Sequence, residues 1–331
     1  MAQEYRIFGA ELSPYSVKVR SYFRYKKIPH RWIVRDLAAM AEFEKYAKLP
    51  LIPLVVTPED RGLQDSTPIL DEMEARFPEP SIHPPDPALA LLSAIVEEYA
   101  DEWVNKPMFH YRWYYEPDRQ SAAVRIARTM APGTDGQELE RMAESVRERM
   151  VPRLRFVGSN EKTKSTIERS FLRLLDLLDP HLGRHPYLFG GRPSLADFGL
   201  AAQLYQCASD PTAGAVIRER HPVVLRWIER MLDPEAEGEF ATWDELESGL
   251  LPLFRGEIAP VFVPWTLANE RALAAGEKTF SVDLEGEPFE QEVQKYHAKS
   301  LGMLRRRYTS LPDKARADRL LELTGCAALF S

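Results

Sequence analysis

Ser13-Pro14-Tyr15-Ser16 lies between a short apolar stretch, Tyr5 to Gly9, and a segment with helical spacing. It has the outline of a Cys-Pro-x-Cys redox motif with serine at both cysteine positions. Serine before proline is a favoured helix start. The hydroxyl oxygen accepts from an orphan backbone N–H, and proline fits the first turn, where its missing donor is not needed. A small anion is favoured at the same place, because free N–H groups and the helix dipole converge there. Ser13 therefore has two readings: a cap alone, or a cap whose own proton is offered to a bound anion. Ser16, one turn on, is either a small packed residue or a second donor. With no thiol at either position, the site cannot form a mixed disulfide.

Two further pairs could bind a ligand. Ile52-Pro53 precedes a short strand. A cis bond there would turn the Ile52 N–H and C=O outward to pair with an added peptide strand; a proline at a sheet edge is the plainer reading. Asp65-Ser66 stands at a helix start. With Ser66 as N-cap, the adjacent N–H groups stand where an anion is favoured; an ordinary cap is the alternative. The most aromatic stretch, MFHYRWYY at 108–115, either lines an apolar pocket, with Tyr111 and Trp113 joining Tyr15 as candidates, or packs the inserted segment against its domain. Ser194-x-x-Asp197 is a capping box assigned to folding. Arg305-Arg306-Arg307 reads as a solvated helix face.

The elements that must carry these residues follow from periodicity. Residues 5–9 and HRWIVR read as strands, and 14–27 and 38–48 as helices. Val19 and Phe23 face a core, while Lys18, Arg20 and Arg24 reach water. Strands at 54–56 and 62–64 pair through the Thr57–Arg61 turn, and a helix runs from 66 to 77. The order β-α-β-α-β-β-α makes a compact α/β unit. Five prolines in the ten residues 78–87 mark a boundary. Beyond it, 87–107, 119–131, 136–150, 163–180, 194–207 and 221–232 are helical by spacing. Phe280, Val282 and Leu284 alternate, Glu285-Gly286-Glu287 turns, and Phe289 resumes: a hairpin, with two more helices after it.

Composition sets the remaining bounds. The 331 residues suggest two domains and an extension. A net charge of −7 argues against a general nucleic-acid binder. Charges at Glu4, Arg6 and Glu11 interrupt any signal-peptide core, and no window is long and apolar enough for a membrane span. Two cysteines, Cys207 and Cys326, point to a reducing cytoplasm and not to a disulfide framework. The seven histidines are scattered, so no metal is expected.

Taken together, Ser-Pro-x-Ser after the first strand, Ile52-Pro53, Asp65-Ser66 and GGRPSLADFGLAAQL at 190–204 resemble the glutathione transferases. The resemblance covers residues 4 to about 232 and implies the following organisation. Residues 1–80 form a thioredoxin-like glutathione-binding domain and 81–87 a linker. An all-helical domain spans 88–232 with an inserted segment at about 110–160, and 233–331 are an extension. It also implies glutathione as co-substrate, no metal, a homodimer and a role in detoxification. Ser13 takes the place of the catalytic Ser or Cys, with Ser16 as second candidate. Ile52, Pro53, Asp65 and Ser66 would hold the tripeptide, and the second domain would take an apolar electrophile. Ile7-Phe8-Gly9 offers no hydroxyl for a tyrosine-type site. Leu51 stands where a lysine for the glycyl carboxylate is usual, so Lys48 or Arg35 would substitute. The rivals are a non-catalytic scaffold and a ligand carrier.

Overall fold

The computed structural model describes residues 4–331. β1 (Tyr5–Gly9), α1 (Pro14–Tyr25), β2 (His30–Val34), α2 (Met40–Tyr46), β3 (Leu54–Val56), β4 (Gly62–Gln64) and α3 (Ser66–Arg76) follow in the expected order. The sheet runs β2-β1-β3-β4, with β1 and β2 parallel and the other pairs antiparallel. Period-two alternation sorts its two faces. Ile7 and Val55 join Val19, Phe23, Ile69 and Leu70 under α1 and α3. Phe8, Leu54 and Val56 pack on Phe43 of α2.

Register decides what this sheet presents. Gly9 lies opposite Val34, Phe8 opposite Leu54 and Leu54 opposite Gln64. The chain therefore leaves β1, β2 and β4, and enters β3, at one and the same end. Ala10 leading to Ser13, Arg35, Pro53 and Asp65 all emerge there.

After the proline-rich crossing, α4 (Pro87–Tyr99) passes through a wide π turn at 100–104 into α5 (Asn105–Tyr114). The turn ends just before Pro107, so the proline falls in the first turn of α5 and the helix runs on past 107, where the spacing alone had ended it. α6 (Glu116–Met130) and α7 (Gly136–Met150) form a hairpin. Its core is Trp113 with Ala122, Ala123, Ala127, Ala143 and Val146. α8 (Lys164–Leu182), α9 (Leu195–Ser209), α10 (Pro211–Arg220) and α11 (Pro222–Arg230) complete this part. The capping box forms at α9: Asp197 accepts from Ser194 N at 2.9 Å and from Ser194 Oγ at 2.6 Å.

The remainder holds α12 (Trp243–Leu253), a π turn at 254–262, α13 (Val263–Ala274), the hairpin β5 (Thr279–Leu284) and β6 (Glu287–Glu292), then α14 (Lys295–Thr309) and α15 (Ala315–Thr324). The hairpin turn is two residues, Glu285 and Gly286, both at positive φ. Helices α10, α12 and α13 were not foreseen. α10 buries only Ala213, Gly214 and Ile217, too few to mark a face. Pro252 falls in the last turn of α12, Pro260 in the π turn and Pro264 in the first turn of α13, so the prolines that obscure this stretch in the sequence sit at or near helix ends and in the wide turn. No described helix is long and apolar enough to cross a membrane.

Lys18 corrects an expectation. It is fully buried between α1, α3 and α4, not in water. Its ammonium meets Glu97, Asp101 at 2.7 Å and Thr67 at 3.1 Å. Burial works against the charge, but Asp101 and Glu97 outweigh it and hold the lysine above its ordinary pKa. A lysine enters a core only with such partners, and these lie about 80 residues away in sequence.

Candidate functional site

Ser13 caps α1 with extended backbone, φ −114° and ψ 113°. Its Oγ accepts twice: from Ser16 N at 3.3 Å and from Ser16 Oγ at 3.0 Å. Two accepted bonds use the oxygen lone pairs and leave the hydroxyl proton to be donated. Ser16 is fully buried, so it supports Ser13 and does not reach a ligand.

Beside Ser13 is a cavity of about 290 Å³. Leu12, Arg35, Met40 and Ile52 line it from the first domain. Ile126, Thr129 and Met130 of α6 and Arg149 and Met150 of α7 close it from the other side. A bond from Leu37 N to Met130 O, 3.1 Å, ties the two walls together. Most of the lining is apolar, and three methionines give it an adaptable surface. Arg35 lies with its guanidinium 4.6 Å from the Phe43 ring, and its buried Nε has no partner. Burial and the neighbouring Arg149 pull Arg35 below its ordinary pKa. Neither arginine has an ion-pair partner among the described residues. The Ile52-Pro53 bond is cis. Ile52 lies outside the paired part of β3, and its N–H and C=O enter no ladder bond.

Asp65 and Ser66 lie beyond this cavity, at the β4 side of the same sheet end. The expectation that Ser66 is the N-cap is off by one residue. Ser66 begins α3 and Asp65 holds the cap position, without a side-chain cap bond. Ser66 is buried. The N–H groups of Ser66 and Thr67 stand in the first turn, free of intrahelical partners, and Pro68 adds none. Asp65 has φ +81°, a region that favours glycine. Its Oδ2 accepts from Tyr296 Oη of α14 at 2.5 Å. Burial raises the Asp65 carboxyl pKa, opposed by the Tyr296 bond and the charges of Lys18 and Lys299.

Tyr15, Tyr111 and Trp113 do not line the cavity. Tyr15 donates to Asp101 O on the π turn at 3.0 Å. Tyr111 is buried between Phe171 and Tyr115, and Trp113 sits in the α6–α7 core. Tyr111 and Trp113 pack the inserted segment against the domain, which was the alternative reading for that stretch. Of the two substitutes for a lysine at 51, Arg35 lines the cavity and Lys48 does not. Leu51 is 61% exposed, on a loop held by Gln64. Both cysteines are buried and outside the cavity. The described residues hold no cluster of three or more His, Cys, Asp or Glu placed for a metal. The residues missed from sequence are the α6 and α7 walls and Tyr296. Ile126 and Met130, four apart on a helix, were the only available signal.

Residues 7–81 match the model of the glutathione S-transferase N-terminal domain, and 137–230 that of the C-terminal domain. No curated protein matches the chain. Similar solved structures include a glutathione S-transferase from Methylobacterium radiotolerans in complex with glutathione sulfonate, 19% identical, covering 72% of this chain and 97% of its own, TM-score 0.42. A Tau class transferase from mango, Mangifera indica, is 17% identical over 75% and 97% of the two chains, TM-score 0.43. A maleylacetoacetate isomerase from Anaeromyxobacter dehalogenans is 21% identical over 68% and 89%, TM-score 0.38.

Proposed function

The chain belongs to the glutathione S-transferase family, and from that premise we propose that it activates the glutathione thiol as a thiolate and transfers it to a largely apolar electrophile. The observation that carries this reading is Ser13: its oxygen is already occupied by Ser16, its proton is free, and it borders the cavity.

Sheet order supports a pose. Arg35, Ser13, Ile52-Pro53 and Asp65 follow the strands β2-β1-β3-β4. Three strand spacings span about 14 Å. An extended tripeptide spans roughly 10–11 Å, and the Arg and Asp side chains cover the remainder. The glycyl carboxylate then lies at Arg35, the thiol at Ser13 and the γ-glutamyl group at Asp65 and the α3 start. The cysteinyl backbone pairs with Ile52. The cavity walls from α6 and α7 take the electrophile.

On binding, the thiol proton leaves to solvent. The sulfur then forms a bond to the acceptor carbon. Either a leaving group departs with its electron pair, or an activated alkene takes up the pair and a proton from water. The hydroxyl and the helix start stabilise the anion by about 1.5–3 kcal/mol, or roughly 1–2 pKa units. A two-unit shift from about 8.5 raises the thiolate at pH 7 from about 3% to about three quarters. Lower basicity costs roughly eightfold in nucleophilicity, for a net gain of about threefold. Holding thiolate and electrophile together must supply the larger part of any acceleration.

The test is an ultraviolet pH titration of glutathione bound to the wild-type protein, followed by turnover on an electrophile panel. A depressed thiol pKa with turnover supports the transferase. Binding with an unshifted pKa and no turnover would leave a ligand carrier, and no binding a scaffold.

A further inference from the structure

The extension reaches the predicted glutathione site at one atom pair. Tyr296 Oη donates to Asp65 Oδ2 at 2.5 Å across 231 residues. This contact is built from below. His297, the next residue, is buried with its Nε2 2.6 Å from Glu102, and its ring lies 4.8 Å from that of Trp265. Ser300 donates to the buried Glu98, and Arg307 reaches Asp71 of α3 at 2.6 Å. Tyr296 is thus carried on a helix fixed at three points to α3, α4 and the π turn after it.

Asp65 itself keeps a carboxylate on a backbone with φ +81°, where glycine is favoured. A residue held in such a conformation is a pointer to function. Among the described residues no Lys, Arg or His pairs with it, and Oδ1 has no hydrogen-bond partner. The carboxylate is oriented through one oxygen and open at the other.

We propose that Tyr296 is a positioning residue for the γ-glutamyl end of glutathione. It holds Asp65 through Oδ2 so that Oδ1 meets the ligand's α-ammonium, and the C-terminal extension completes the site within one chain. This rests on the transferase reading above, with Asp65 at the γ-glutamyl group. An acceptor-only carboxylate bonded to a neutral phenol keeps its charge and loses its rotational freedom, which favours a second donor that is cationic. The role is indirect, so it should alter discrimination between ligands and leave the sulfur chemistry alone.

The experiment measures, by calorimetry, binding of glutathione and of glutaryl-cysteinyl-glycine, which lacks only the α-amino group. The proteins are wild type, Tyr296→Phe, Asp65→Asn and the double variant. Wild type should prefer glutathione. Tyr296→Phe should lose about 5- to 10-fold in glutathione affinity and most of that preference, with the analogue's affinity unchanged. On an Asp65→Asn background the tyrosine substitution should add nothing, because the two act as one unit. A Tyr296→Phe protein that binds glutathione with the wild-type preference overturns the Tyr296 role and leaves the glutathione site standing. Tighter binding overturns it too, and makes Tyr296 a blocking group. Wild type that binds neither ligand overturns the glutathione reading and this role with it.

Discussion

Ser16 Oγ donates to Ser13 Oγ at 3.0 Å, from a fully buried position one turn below it. The two serines of the motif are not equivalent donors. One faces the cavity, and the other fills the first one's lone pair and directs its proton outward. Donation into Ser13 also polarises its O–H, since chained hydrogen bonds strengthen one another. Ser13→Ala should therefore raise the pKa of bound glutathione by about 1–2 units. Ser16→Ala should raise it by a smaller amount, roughly half a unit or less, because only the polarising bond is lost. Ultraviolet titration of the bound thiol reads both. An equal effect of the two substitutions would make Ser16 a direct donor and sink the hierarchy.

Arg35 and Lys48 were equal candidates for the glycyl carboxylate, and the fold separates them. Arg35 lines the cavity with an unpartnered Nε, stacked on Phe43. Lys48 lies on the loop that Gln64 binds through its backbone and does not border the cavity. Arg35→Ala should weaken glutathione about 10- to 100-fold, the range of a lost hydrogen bond to a charged group. Lys48→Ala should have little effect. A glycinamide analogue of glutathione should bind wild type and Arg35→Ala alike. If the amide still binds wild type better than the variant by the full factor, Arg35 does not meet that carboxylate.

What could be read from sequence was local. Ser13 before Pro14 and Asp197 three after Ser194 announce themselves within one helical turn. Ile52-Pro53 and Asp65 stood out only through family spacing, and the sheet register then brings them to one end. What could not be read was assembled from distant segments. Lys18 looked like a water-facing residue, because Glu97 and Asp101 that neutralise it are on another helix. The cavity wall of Met130, Arg149 and Met150 exists only once α6 and α7 fold back over the first domain. Tyr111 and Trp113 looked like pocket residues by type, and type does not say which side of a helix meets a cleft. Tyr296 carried no signal, since its partner Asp65 is 231 residues away.

The Asp197 carboxylate is fully buried and holds two segments together. Beyond Ser194, it accepts from Leu188 N at 2.9 Å and from Trp227 Nε1 at 3.0 Å. Thr242 and Glu245 form a second capping box at α12, exposed to water. Burial decides the difference between them. Asp197→Ala leaves several buried donors unmet and should cost about 3–5 kcal/mol. Glu245→Ala lets water replace the lost acceptor and should cost only a small part of that. Urea unfolding of the two variants gives the comparison, and equal costs would show that Asp197 only caps its helix.

His181 sets an acid limit on stability. It is 1% exposed, with Nε2 2.9 Å from Leu188 O and Nδ1 unpartnered. α12 passes so close that a Cβ on Gly249 would lie 2.1 Å from Nδ1. Burial drives the imidazole pKa down to about 4, from an ordinary value of 6.5. The folded state therefore keeps the ring neutral while the unfolded chain takes up a proton. Stability from this group is complete above pH 6.5 and is lost as pH falls toward 4. Integrated over that window, the loss is about 3 kcal/mol. His181→Gln can keep the donation to Leu188 O and has no proton to take up. Its unfolding free energy should fall less steeply on acidification than that of wild type, closing on it by about 2–3 kcal/mol between pH 8 and pH 4. Parallel curves for the two proteins from pH 8 to 4 would mean that another group governs the acid limb.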